Sequence, residues 1–343
     1  MKHNVKITII IIAMFTISML IGLLVINSYD KYFGKTAQKI EKEAKERNIT
    51  IEKPEISIVQ ETVPPPMELK RTIDIISVLV SIAIALAIAV GLFFLLSKIK
   101  IHLVIKGWFA IVVFICLVVS ITLIFYHFIG FYALLDFFGK KISVAELLAL
   151  PIAFVLTFLK VKKKSIIAHN ISELLIYPGL AVIFVPLLNV IAASILLVLI
   201  SIYDMIAVWK TKHMQAMAKF QIERLKIFTG FFLPYASKKD KIKIERIKTK
   251  LKKIKSKKKR EDFLKRQKIK INLAVLGGGD VAFPLIFAGT VLLKYGLTSA
   301  LTVIATTVLA LALLLIFAKK GKFYPAMPFL SVGCFFGLLL IVL

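Results

Sequence analysis

The stretch LAVLGGGDVAFPL, residues 273–285, decides how this chain is read. It places Asp280 directly behind three consecutive glycines, Gly277, Gly278 and Gly279, inside a segment otherwise apolar enough to cross a bilayer. A carboxylate within a transmembrane helix costs about 2.5–3.5 kcal/mol on insertion scales, and each interior glycine about 1 kcal/mol relative to Ala. A segment that carries both is by default a functional site, and its aspartate needs a partner. The preceding apolar stretch offers one: Asp204, within LLVLISIYDMIAVW at 196–209.

Composition fixes the broad class independently. With 59% hydrophobic residues and a mean hydropathy of +0.88 over 343 residues, the chain is a polytopic membrane protein with a single membrane domain, 1–343. The formal charge of +28 does not imply nucleic acid, because Lys and Arg fall mostly between apolar runs, where they set topology. Cys116 and Cys334 both lie inside apolar segments, which argues against a disulfide framework or a zinc site and for two small core residues.

The first apolar run, 5–27, follows the basic MKHNVK and lacks a small-residue cleavage site, so it is expected to remain as a first span. The chain then turns polar from Ser28 to Arg71, with a helical KTAQKIEKEAKERN and the PPP of 64–66, as an external loop carrying one amphipathic helix. Further apolar runs at 73–97, 103–134, 143–160, 167–187 and 190–209 complete six spans, each long enough for a core of about 30 Å at 1.5 Å per residue. Three more follow at 271–295, 297–318 and 323–343, giving nine transmembrane helices in an all-α fold. Glu146 and Glu173 lie near span ends and are expected at the interface.

Lys and Arg in the connections orient the bundle. KIK at 98–100, KVKKK at 160–164, the whole 210–270 segment and KKGK at 319–322 share the side of the N-terminus, which is therefore cytoplasmic and leaves the C-terminus external. Residues 210–270 hold 23 Lys or Arg against five acidic residues, a basic cytoplasmic loop that pins topology and attracts anionic headgroups. Within it FTGFFLPYA, 228–236, is too short to span and is expected in the interface.

Three short motifs resemble one known family. SIYDMIAV around Tyr203 and Asp204, GGGD at 277–280 and PAMP at 325–328 look like the YD, GxGD and PAL motifs of the presenilin and signal peptide peptidase family of intramembrane aspartyl proteases, in the same order and on three late spans. The resemblance runs from about residue 190 to the C-terminus. It implies a nine-helix presenilin-like fold, a catalytic pair of Asp204 and Asp280, and supporting roles for Tyr203, Gly277, Gly278, Gly279, Pro325, Ala326, Met327 and Pro328. Met327 stands where the family pattern has Leu, a change conservative in volume. The implied partners are transmembrane protein substrates in a plasma-membrane setting; no cofactor or metal is implied, and the compact chain is nearer to the stand-alone members than to those that work with partner subunits.

The chemistry is consistent with that pairing. Two close carboxylates in a weakly hydrated site cannot both ionise, so one holds a proton while the other acts as base on water. Asp204 lies six residues before Lys210 and Asp280 ten after Lys270, which on continuous helices is roughly 9 and 15 Å from the cytoplasmic flank. The prolines at 325 and 328 free backbone groups near the start of the last helix, and with the glycines they could pair with an unwound substrate as an added strand. Two other functions stay open on the sequence alone: an ion- or proton-coupled transporter using the aspartates as a relay, and an inactive relative that binds transmembrane helices.

Overall fold

The structure is a computed structural model, and it describes residues 5–34, 43, 46, 57–65, 72–98, 102–130, 134–137, 140–163, 165–210, 229–235, 272–318 and 324–343. The helix anticipated over KTAQKIEKEAKERN and most of the basic 210–270 loop lie outside these residues. Nine long helices occur among the described residues: α1 (Val5–Tyr32), α2 (Thr72–Lys98), α3 (His102–Ile129), α4 (Val144–Phe158), α5 (Ile166–Phe184), α6 (Val190–Met205), α7 (Gly278–Tyr295), α8 (Leu297–Phe317) and α9 (Met327–Val342). Among the described residues, six stretches are long and apolar enough to cross a membrane: Val5–Tyr32, Lys106–Ile129, Val144–Lys162, Ile166–Leu187, Val190–Lys210 and Leu297–Phe317.

Three apolar runs do not become helices along their full length. The run at 103–134 ends as helix at Ile129, and β1 (Leu134–Phe137) turns back to pair antiparallel with β2 (Lys140–Ser143). The run at 323–343 becomes helical only at Met327, because two prolines within four residues restrict the backbone ahead of it. The third departure reshapes the site. Residues Asn272–Gly277 form a strand, β4, paired antiparallel with β3 (Gly230–Tyr235), so that most of FTGFFLPYA is one arm of a two-stranded sheet. Ala274 and Leu276 are buried while Val275 between them is 41% exposed, a period of two that a strand satisfies and a helix does not. Three glycines immediately downstream remove any helical propensity that would carry α7 back through this stretch. The glycines thus end a strand and begin a helix, instead of interrupting a helix.

At the centre of the bundle stands α7, packed against α1, α5, α6, α8 and α9, with every residue from Pro284 to Leu292 buried. On α9, Gly333 and Gly337 face α8; a Cβ on Gly333 would stand 2.7 Å from that of Ala310, so these helices approach at the limit of backbone contact. Both intramembrane glutamates are corrected to the interior. Glu146 is 1% exposed and accepts from Ser57 Oγ and Ile58 N, each at 3.0 Å, which fixes the short helix Ile58–Thr62 of the first loop against α4. Glu173 is also 1% exposed and is ion-paired with Lys160. A carboxylate near a span end avoids the cost of burial only if it reaches water; here each reaches a protein donor instead. Cys116 and Cys334 are unpaired and buried.

Candidate active site

Asp204 ends α6. Its side chain, 5% exposed in the residue as a whole, meets the start of α9: Met327 N–H donates to Oδ2 at 3.1 Å, and the backbone of Ala326 serves the same carboxylate. The first N–H groups of a helix have no partner within it, and Ala326 at the cap position has no side-chain acceptor to offer. Asp204 fills that role from another helix. Pro328 in the first turn of α9 has no N–H to satisfy, so the PAMP sequence leaves a small set of donors aimed at one carboxylate. One turn away, Ser201 Oγ and Ser331 Oγ lie 2.8 Å apart, a second link that runs the two helices antiparallel. The N–H groups of Ala326 and Met327 are therefore engaged by Asp204 and not open to an incoming strand.

Asp280 is in the first turn of α7 and is 9% exposed. Its carboxylate folds back over the turn to the backbone N–H of Gly277, and Oδ2 is only 3.0 Å from where a Cβ on Gly277 would stand. This is the geometry of a capping box, with the third helical residue returning to the cap position. Pro284, four residues on, lacks the N–H that would bond the Asp280 carbonyl, which loosens the same turn. Helices α6 and α7 pack together.

Of the other residues singled out by sequence, Pro325 and Met327 are buried, Ala326 and Pro328 half-buried, and all four flank Asp204. Gly277 and Gly278 are half-buried and Gly279 exposed, at the junction of β4 and α7. Tyr203 turns outward and is 62% exposed, away from the carboxylate of its neighbour.

The hairpin leads straight into this site, and one of its edges is closed. Asn170 on α5 donates through Nδ2 to Phe232 O and accepts from Phe232 N, both at 3.0 Å, while His169 Nε2 bonds Gly230 O at 2.9 Å. Phe232 thus directs its backbone groups away from β4, and Pro234, two residues on along the same edge, has no N–H. The outer side of β3 is spent on α5. By the same alternation, Val275 of β4, opposite Phe232, points its backbone groups to the other side, and among the described residues they meet no partner.

A model of the family described as "Signal-peptide peptidase, presenilin aspartyl protease" matches residues 68–343. The chain belongs to this family. It is an aspartic endopeptidase of the intramembrane-cleaving kind, and an integral membrane protein. Two solved structures, both of a presenilin family intramembrane aspartate protease, superpose over nearly the whole chain. The one in space group C222 covers 98% of each chain at 17% identity with a TM-score of 0.57; the one in P2 covers 97% of this chain and 96% of that one at 18% identity and 0.54. No curated protein matches the sequence significantly. The family match begins about 120 residues before the motif-bearing region, and the superposition extends the presenilin-like fold to α1.

The three motifs of this presenilin-family protease leave out α5. His169, Asn170, Glu173 and Tyr177 recur at helical spacing on one face of an otherwise apolar span. Ionisable and amide side chains inside a membrane helix carry a functional expectation of their own, and that spacing was the available signal.

Proposed function

We propose that this chain hydrolyses peptide bonds within transmembrane segments, with Asp204 and Asp280 as the catalytic pair. The observation that supports the proposal is that two buried aspartates sit on helices that pack together, Asp204 beside the start of α9 and Asp280 in the first turn of α7. One carboxylate, ionised, takes a proton from water as it attacks the scissile carbonyl; the other, protonated, donates to the carbonyl oxygen. The pair shares its protons and acts as a unit, so neither role belongs permanently to either residue.

The substrate must present an extended peptide, since a helix hides its own amides. The β4 edge, unpaired among the described residues, supplies a template for one: an unwound segment added alongside Val275 continues past Gly277–Gly279 to Asp280. The glycines keep that approach free of side chains. The backbones of Ala326 and Met327 hold Asp204, and Tyr203, exposed beside it, is available to a substrate helix arriving from the bilayer.

All nine helices cross the membrane in this reading. The N-terminus and the 210–270 loop are cytoplasmic, the 28–71 loop and the C-terminus external, and the protein acts alone in the plasma membrane. Such an orientation suits single-span substrates whose N-terminus lies outside. The test is reconstitution of the purified chain in liposomes with model substrates: Asp204→Asn and Asp280→Asn should each abolish cleavage while the protein stays folded. Robust cleavage by either single variant removes the dyad, and gradient-driven ion uptake would favour a transporter.

A further inference from the structure

One buried group near the site has no use in the mechanism above. Tyr177 of α5 is 3% exposed, its ring held edge-on against Phe231 of the hairpin at 5.5 Å and 82°. Its hydroxyl is buried and makes no hydrogen bond of ordinary length among the described residues. Glu173, one turn back on the same helix, is the acidic group that acts on the phenol most strongly, but it is ion-paired with Lys160 and lies beyond ordinary hydrogen-bond geometry from the hydroxyl. Buried phenols normally find a partner.

The direction of the hydroxyl explains why this one does not. It lies 3.1 Å from where a Cβ on Gly278 would stand, so it looks into the glycine turn through the space that a side chain would fill. Asp280 is two residues further along that turn. The partner belongs to whatever occupies the turn.

We propose that Tyr177 is a third catalytic residue: its phenolic O–H donates a hydrogen bond to the scissile carbonyl oxygen of a substrate strand lying across Gly277–Gly279. The inference rests on the strand-addition reading given above. Negative charge develops on that oxygen as water attacks, and a fixed neutral donor in a water-poor site stabilises it more than it stabilises the substrate. The phenol is fixed by the packing of α5 on Phe231. It complements the dyad, whose protonated member is the other donor to the same oxygen.

Tyr177→Phe removes only the O–H and keeps the ring. In the liposome assay kcat should fall about 100-fold, the loss typical of one such donor, with KM little changed. The thermal midpoint should stay level or rise, because an unpaired buried hydroxyl is lost. A merely structural tyrosine predicts the opposite pairing, with activity falling only as far as the folded fraction. Fluorotyrosines placed at 177, graded in phenol acidity, should shift kcat in step with donor strength; a flat series overturns the proposal, as does wild-type kcat or a pure KM effect in Tyr177→Phe. Asp204→Asn and Asp280→Asn run alongside separate the two readings. If they cleave, the dyad fails whatever Tyr177 does; if they are inactive and Tyr177→Phe is normal, only the tyrosine proposal fails.

Discussion

Replacing Asn170 by Leu tests whether α5 holds the hairpin in place. The substitution nearly preserves volume and removes both hydrogen bonds to Phe232, each 3.0 Å long. At about 0.5–1.5 kcal/mol net per bond, the lost stabilisation is about 1–3 kcal/mol. That converts to roughly a 5- to 150-fold increase in local opening, at 1.4 kcal/mol per tenfold. The energy is local because the bonds join one side chain to one strand, while the bundle packing of α5 on α1, α3 and α7 is untouched. Hydrogen exchange followed by mass spectrometry in detergent should show faster exchange for peptides covering 230–235 and 272–277, with α7 and α8 unchanged. Cleavage should fall too, and the cut should spread over neighbouring bonds, since β4 would lose its fixed register. Unchanged exchange in the hairpin, or acceleration spread evenly over all helices, would refute the clamp.

Asp204→Asn keeps an acceptor for Met327 N–H and should melt near the parent temperature, whereas Asp204→Leu uncaps α9 and should cost about 1–2 kcal/mol in thermal unfolding. Removing one member of the buried Lys160–Glu173 pair, as in Glu173→Gln, should destabilise by about 3–5 kcal/mol, and Lys160→Met with Glu173→Leu should recover most of it in the same melts. Proteolysis should trace a bell in pH: at the acid limb both carboxyls are protonated and no base remains, at the alkaline limb both are ionised and no acid remains. Equal activity far above and below a single midpoint would contradict a shared pair. Gly333→Leu should destabilise the fold by about 1–3 kcal/mol, read as a lower thermal midpoint, because the new Cβ falls 2.7 Å from that of Ala310.

How far the sequence could be read depended on the range of the interactions involved. The membrane class, the family and the all-helical architecture were legible because apolar runs and short motifs are local features. The hairpin was not, since β3 and β4 pair across an interval of nearly forty residues, and a hydrophobic strand of six looks like the edge of a span when scanned by hydropathy. The glycines were misplaced for the same reason: read inside a continuous helix they are a cost, whereas at a strand-to-helix junction they are the residues the junction needs. Glu146 and Glu173 were assigned to the interface by their distance from span ends, but Ser57, Ile58 and Lys160 come from elsewhere in the chain to meet them. Asn170 and Tyr177 lay in plain view on one face of α5, yet only their contacts with β3 and Gly278 give them a task.

The two most distinctive motifs have one physical content in common. GGGD and PAMP are both helix starts: the first opens α7 with Asp280 in its own first turn, and the second opens α9 with donors turned toward Asp204. The N-terminus of a helix carries about half a positive charge and unpaired N–H groups, so it is a natural place for a carboxylate that must be held out of water. In the proposed dyad, two such starts would each hold one aspartate in the membrane. This also explains why the second motif is rich in proline and small residues, with no charged side chain. Pro325 and Pro328 decide where α9 begins, and with it the height at which the N–H groups of Ala326 and Met327 meet Asp204. Extending α9 backward by one turn, by replacing both prolines with Leu, would turn those N–H groups inward to the new helix. Asp204 would then lose its donors, and the dyad should lose activity even though every catalytic side chain remained.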